Sequence, residues 1–243
     1  RDGQIVIAHD PNLHRTTGQS VLISDVYYEQ IGPYLREVDS HFSTYVHPDD
    51  NITERPPLLK DLFEIVQDTN TLLSIDIKIG NVQDARAVCD MAREYNLLDR
   101  IIIGSMQDVL NIEQTRKDYG PQLNFFFPAP AVFKVFGLFI IGLLPFVPLQ
   151  YDVFAVTYAF KSMRELPFVQ ERLGVRIFFA VMAFLWPFKA LLNWHLKRRG
   201  IMVIYWTVNC VEDYKFALRL GAQGLMGDRP TDMKAYLVSK NLF

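Results

Sequence analysis

Cysteine is nearly absent. Cys89 and Cys210 are the two thiols in 243 residues. They lie far apart in unrelated contexts, which excludes a disulfide framework and any paired-cysteine metal spacing. Both are expected to be free thiols. Excess charge of one sign is also missing: 25 basic residues face 27 acidic ones, a net charge of −2. Nothing global therefore favours nucleic acid. No Gly-x-Gly-x-x-Gly turn follows any expected strand, so a dinucleotide site is not expected. Nor is there an unbroken apolar run of the roughly 20 residues that a bilayer-crossing helix needs.

Apolar residues make up 50% of the chain, and phenylalanine alone contributes 18. That is enough to fill the core of one large α/β domain or two small ones. Arg1-Asp2-Gly3-Gln4 has the Asp-Gly signature of a hairpin turn. Its second strand is expected at 4–8, and its first strand is missing, so the chain is expected to begin inside a domain. Residues 10–58 are polar and turn-rich and are expected to form an irregular insertion.

From Pro57 onward strand and helix signals alternate. A helix is predicted over 57–66, with Leu58, Leu59, Leu62, Ile65 and Val66 on its apolar side. Strands are predicted at 72–78, 101–104, 123–127, 154–157, 202–208 and 224–227. Helices are predicted between them, one carrying Val82, Ala85, Val88, Met91, Ala92 and Tyr95 on one face, another carrying Val109 and Ile112 and ending near Gly120. Asn209 followed by Glu212 predicts a capping box for a helix over 211–220, and Gly221 suits the left-handed residue after it. A last helix is expected at 231–237. Repeated strand–helix units predict a parallel sheet with helices outside it, closed into a barrel.

One strand is chemically unusual. Ser74, Asp76 and Lys78 share one face of the segment Ser74-Ile75-Asp76-Ile77-Lys78, while Ile75, Ile77 and Ile79 share the other. An acid and a base inside an apolar strand must be paired, hydrated or bound to an ion, since a lone buried charge is too costly. This pattern suits a site that handles phosphate or metal.

Two apolar stretches, 125–151 and 177–195, break the amphipathic pattern that barrel helices show. Each is interrupted by proline, and basic residues Lys189, Lys197, Arg198 and Arg199 accompany the second. They are expected to contact a membrane at headgroup depth rather than cross it, with Trp186 and Trp194 at the interface. The bland alternative is a pair of buried barrel helices.

Four segments, in order, resemble the glycerophosphodiester phosphodiesterases: Val6-Ile7-Ala8-His9-Asp10-Pro11-Asn12-Leu13-His14-Arg15-Thr16-Thr17-Gly18, Ser74-Ile75-Asp76-Ile77-Lys78, Tyr205-Trp206-Thr207-Val208-Asn209, and Gly221-Ala222-Gln223-Gly224-Leu225-Met226-Gly227-Asp228-Arg229-Pro230. The apolar Leu143-Leu144-Pro145-Phe146-Val147-Pro148 resembles the membrane-associated, lysophospholipase D-like branch. The resemblance implies a TIM (β/α)8-type barrel spanning 1–243, with the 10–58 insertion and without its first strands. It implies a divalent cation, Mg²⁺ or Ca²⁺, and hydrolysis of a glycerophosphodiester or lysophospholipid to release the headgroup alcohol. Membrane lipid is the implied partner, internal membranes such as the endoplasmic reticulum the implied location, and no protein partner is implied.

By the same resemblance His9 is the proton-transfer residue, suited by an imidazole that titrates near neutrality. Asp76 is the metal ligand, where the family usually has Glu, and Lys78 offsets phosphate charge. Trp206 and Arg15 are candidate substrate contacts. For Asp76 the bland reading is an ion pair with Lys78, for Trp206 a core side chain, for Arg15 a structural arginine. Asn209 is expected to be a helix cap, and Asp228 a cap or a partner of Arg229. The family's His-Arg-Gly and Glu-x-Asp segments are not found between Arg1 and Phe243. The alternative expectation is therefore a catalytically inactive, truncated membrane-associated module, and the polypeptide by itself is expected to be inactive. His14, His41, His47 and His195 show no ligand spacing, and Asp49, Asp50 and Glu54 form a solvated acidic loop.

Overall fold

The computed structural model describes residues 1–39, 44–78, 82–107, 110–157, 160, 171, 173–174, 176–177, 180 and 186–242, with 186 and 187 as backbone only. The expectations placed on His41, Ile79 and Val109, on the Trp186 side chain and on most of 178–185 lie outside them. The chain divides into two compact units, 1–125 and 126–243.

The first unit opens irregularly. Residues 4–8 do not form the expected strand. Val6 makes a single antiparallel bridge with Leu58, flanked by Ile7 N–H donating to Pro57 O and Leu59 N–H donating to Ile5 O, each at 2.8 Å. The ladder cannot lengthen, because Pro56 and Pro57 have no N–H to offer. The insertion is turn-rich as expected. It holds a short helix α1 (His14–Thr17) and an antiparallel hairpin of β1 (Glu37–Asp39) and β2 (Thr44–Val46).

The regular part of this unit is α2 (Leu59–Val66), β3 (Leu73–Asp76), α3 (Val82–Glu94), β4 (Ile101–Gly104), α4 (Ile112–Tyr119) and β5 (Asn124–Phe125). The three strands form a parallel sheet in the order β3-β4-β5. Central β4 is buried on both faces, which explains its unbroken Ile-Ile-Ile run. The apolar face of α2 differs from the expectation: Leu59, Phe63 and Val66 are buried, while Ile65 is 73% exposed. Positions i, i+4 and i+7 align on a helix, and Ile65 falls outside that stripe. Arg100 closes the end of α2 by donating to the carbonyls of Val66 (3.0 Å), Gln67 (2.6 Å) and Thr69. Carbonyls at a helix end lack the donors that interior ones have, although Val66 O also takes Thr69 N–H at 2.9 Å.

The second unit contains α5 (Ala129–Ile140), β6 (Val153–Val156), α6 (Trp186–Arg198), β7 (Met202–Trp206), α7 (Val211–Arg219), β8 (Gly224–Met226) and α8 (Pro230–Ser239). Its strands are again parallel, in the order β6-β7-β8. Buried Asn193 on α6 is satisfied by Tyr205 Oη (2.9 Å) and by Leu220 O (2.7 Å), tying helix to sheet. Gly221 takes φ = 82° after α7, a left-handed value that glycine adopts without a side-chain penalty.

Among the described residues the two apolar stretches are only partly buried. Val135 is the one buried residue of α5, and Phe133, Ile140, Ile141, Leu143 and Phe146 are exposed. On α6, Leu192 and Leu196 are buried while Phe188, Leu191 and Trp194 are each 54% exposed. Among the described residues no helix is long and apolar enough to cross a membrane.

Lys189 sits deep between these helices, 2% exposed, with its ammonium 5.5 Å from the centre of the Phe136 ring. Burial pushes its pKa down to about 7, from 10.5. Above about pH 7 the folded chain has lost this proton while the unfolded chain keeps it. Raising the pH therefore favours the native state until the unfolded lysine titrates too. The slope from this one group is about 1.4 kcal/mol per pH unit. Urea unfolding between pH 7.5 and pH 10 should show the Lys189→Met variant lacking that gain relative to wild type.

Candidate active site

The ionisable groups singled out in the first unit fall into two constellations. In one, Asp10 is the hub. Its Oδ1 lies 2.7 Å from His9 Nδ1, and its Oδ2 accepts a hydrogen bond from Arg15 Nε at 2.6 Å. Arg15 Nη1 also donates to Asp39 O at 2.7 Å, fixing the start of the insertion to the hairpin. Helix α1 places Arg15 there. Asn12 Oδ1 accepts from His14 N–H at 2.7 Å, and Gly18 ends the turn at φ = 77°. Leu13, 1% exposed, anchors the segment.

Burial raises the Asp10 pKa, but the hydrogen bonds and charges of Arg15 and His9 outweigh it, and the net shift is downward from 3.8. The carboxylate therefore stays charged below the usual range. With Nδ1 held by Asp10, the ring is oriented and proton exchange with a substrate falls to Nε2. The His9 side chain is 58% exposed, so a solute can reach it. Arg15 is committed to Asp10 and Asp39, which makes it a positioning group for the histidine turn. The sequence reading had offered it as a substrate contact.

Asp76 forms the second constellation with Lys78. Asp76 ends β3, paired in register with Gly104, the strand end at which barrel enzymes collect their chemistry. Lys78 Nζ lies 2.8 Å from Asp76 Oδ2, so the ion pair expected on bland grounds does exist. It accounts for half of the carboxylate. Oδ1 is buried and has no hydrogen-bond partner among the described residues. A buried oxygen left so costs about 1–3 kcal/mol or more unless something occupies it. A hard cation takes such an oxygen, and in that respect Asp76 fits a metal ligand. Among the described residues no group of three His, Cys, Asp or Glu side chains could hold a cation. Asp76 thus supplies a single donor.

The second unit brings two of the expected residues together in an unexpected way. Asn209 is not the cap of α7. That position is Cys210, which makes no side-chain cap. Asn209 Nδ2 instead donates to Asp228 Oδ2, and Asp228 N–H donates to Asn209 Oδ1, both at 2.8 Å. This clasp joins the ends of β7 and β8, and it replaces the expected caps and the Asp228–Arg229 pair. Between the two lies Gly227, where a Cβ would collide with Val208 O and sit 2.9 Å from Met233 Cε and 3.0 Å from Asn209 Oδ1. Trp206 ends β7 half-buried. The thiols are free as expected, and burial pushes Cys89 up to about 12 and Cys210 up to about 11, away from reactivity.

Sequence reasoning missed Asp10 as a hub and the Asn209–Asp228 pair. Asp10 was legible: an acid beside a candidate histidine can orient it. The Asn209–Asp228 pair was not, because its members are 19 positions apart.

Parallel strands with helices between them, carrying ionisable residues at a strand end, define an α/β protein of the TIM-barrel type. Residues 1–120 match the sequence model described as the Glycerophosphoryl diester phosphodiesterase family. The chain is 34% identical to human Lysophospholipase D GDPD1 over 98% of its own length and 74% of that protein's. It is 28% identical to human Lysophospholipase D GDPD3, covering 98% and 73%. The fold matches a glycerophosphodiester phosphodiesterase from Parabacteroides distasonis with a TM-score of 0.59 at 15% identity, covering 97% of this chain and 79% of that one. It also matches an Oleispira antarctica phosphodiesterase in complex with the product sn-glycerol-3-phosphate, with a TM-score of 0.54 at 13% identity, covering 97% and 80%. The chain belongs to the glycerophosphodiester phosphodiesterase family of phosphodiester hydrolases.

Two outcomes follow. The Asp10 contribution to stability is complete above its ordinary value of 3.8 and is lost as pH falls through the lower folded value, because the unfolded carboxylate takes a proton first. Wild type should therefore lose more unfolding free energy than Asp10→Asn between pH 6 and pH 3 by urea titration. Gly227→Ala forces Val208 away from the strand end and should cost about 1–3 kcal/mol in thermal unfolding, the usual range for overpacking.

Proposed function

We propose that this protein hydrolyses the phosphodiester bond of a lysophospholipid, in the manner of a lysophospholipase D, and releases the headgroup alcohol. The observation that carries this reading is the divided state of Asp76: one oxygen on Lys78, the other buried without a donor among the described residues. The relatives named lysophospholipase D, similar along nearly the whole chain, support the substrate class.

His9 delivers a proton to the leaving oxygen as the phosphorus–oxygen bond to the headgroup breaks, and water supplies the new oxygen on phosphorus. Asp10 holds the imidazole through Nδ1. Lys78 lies beside the carboxylate with its charge partly exposed and offsets the phosphate charge. Asp76 would hold a divalent cation, Mg²⁺ or Ca²⁺, which when bound polarises a phosphoryl oxygen. Trp206, at the end of its own strand, offers an aromatic face suited to a quaternary ammonium or a glycerol backbone. Internal membranes such as the endoplasmic reticulum are the proposed location.

The test is choline release from lysophosphatidylcholine by the purified protein, with and without chelator. His9→Ala should lower kcat by about 10²–10⁴-fold, the usual contribution of a positioned acid–base group. Asp76→Asn should raise the cation concentration needed for half-maximal rate. Wild-type protein without cation-dependent release would overturn the assignment and favour the inactive alternative.

A further inference from the structure

The ends of β7 and β8 are tied by more than their ladder. The two strands pair in register up to Trp206 and Met226. Just past that pair, Val208 N–H donates to Met226 O at 2.9 Å. There the backbone pattern gives way to a side chain. Asp228 N–H donates to Asn209 Oδ1, and Asn209 Nδ2 donates to Asp228 Oδ2, each at 2.8 Å. A planar carboxamide can serve as donor and acceptor at once in this way. Gly227 lets the strands close, since a Cβ there would collide with Val208 O.

Trp206 sits at the root of this clasp. Its neighbour Tyr205 is buried, with a hydroxyl that accepts from Asn193 of α6. Successive side chains on a strand face opposite ways, so Trp206 lies on the face away from α6, beside Met226. Trp206 is half-buried and Met226 is 42% exposed. Methionine is unbranched and adaptable, so such a neighbour fixes a ring poorly. The place of the indole then depends on the backbone that carries it.

The clasp holds that backbone from both sides. Along β7 it fixes Asn209, three residues past Trp206, and along β8 it fixes Asp228, two residues past Met226. Both hydrogen bonds are exposed. Exposed bonds add little to the stability of a whole domain, but a reciprocal pair can choose between two settings of a strand end. Strand ends are where barrel enzymes collect the side chains that meet substrate.

We infer that Asn209 and Asp228 are a positioning pair that holds Trp206 in place for the substrate. This rests on the proposed lipid hydrolysis, in which Trp206 meets the lysophospholipid, and it assigns substrate affinity to two residues that do not touch the reacting atoms.

The experiment uses a Trp186→Phe, Trp194→Phe background, which leaves Trp206 as the single tryptophan. Its fluorescence is titrated with dodecylphosphocholine below the micelle concentration, and KM and kcat are measured on a short-chain lysophosphatidylcholine dissolved as monomers. The background protein should give a saturable change in emission. Asn209→Asp removes the amide donor and sets carboxylate against carboxylate. It should raise both KM and the Kd of the probe by about five- to tenfold, with kcat within about twofold. Adding Asp228→Asn restores both hydrogen bonds with the side-chain donor and acceptor exchanged. That double variant should return KM and Kd to within about twofold of the background values. Circular dichroism reports that each variant folds, and Asn209→Ala, with the same expected rise, replaces Asn209→Asp should the latter not fold. An unsaturable titration of the background protein overturns the inference. So does a folded Asn209→Asp that melts earlier yet keeps KM and Kd, or a folded double variant that recovers neither. Absence of choline release alongside clasp-dependent probe binding would overturn the catalytic reading alone.

Discussion

A carboxylate that is half satisfied constrains the chemistry of this molecule. Asp76 spends one oxygen on Lys78 and keeps the other buried without a donor among the described residues. A group designed only for stability would satisfy both oxygens or neither need burial. Its position is fixed by backbone alone, because parallel pairing of β3 with β4 puts Asp76 at the strand end opposite Gly104. The ion pair holds the side chain pointing one way, and the remaining oxygen is what a cation or a phosphate-bound water would claim.

Around His9 the economy is different. Here one acid serves two bases, His9 and Arg15, and the arginine takes the structural place that was the alternative to a substrate contact. Such division of labour suits a proton-transfer residue on an exposed turn. An imidazole that open to water has little packing to orient it, so hydrogen bonds must do so.

The parallel strands were the legible part of the fold. The strand predicted at 101–104 is found there, because a strand buried on both faces announces itself as a continuous run of isoleucine. Helix α3 followed from its apolar spacing, whereas α7 was read from a capping box at Asn209 that the structure replaces with an uncapped start at Cys210. Residues 4–8 misled, since a strand needs a neighbour as well as a pattern, and two prolines denied it one. In the site, His9, Asp76 and Lys78 were visible as charged or titratable residues in apolar segments. Asp10 and the Asn209–Asp228 clasp depend on which acceptor each donor meets in space, a choice that local patterning does not encode. The helix α2 face failed at Ile65 because hydrophobicity marks which residues can be buried, not which will be.

The clasp between β7 and β8 has a consequence of its own. It joins a neutral amide to a carboxylate, so it depends on Asn209 keeping its nitrogen. Slow hydrolytic loss of ammonia from that side chain, as happens to asparagines in ageing protein, would leave two negative groups facing each other where a 2.8 Å hydrogen bond now stands. The ends of two strands would then repel, and the molecule would carry a chemical record of its age at that point.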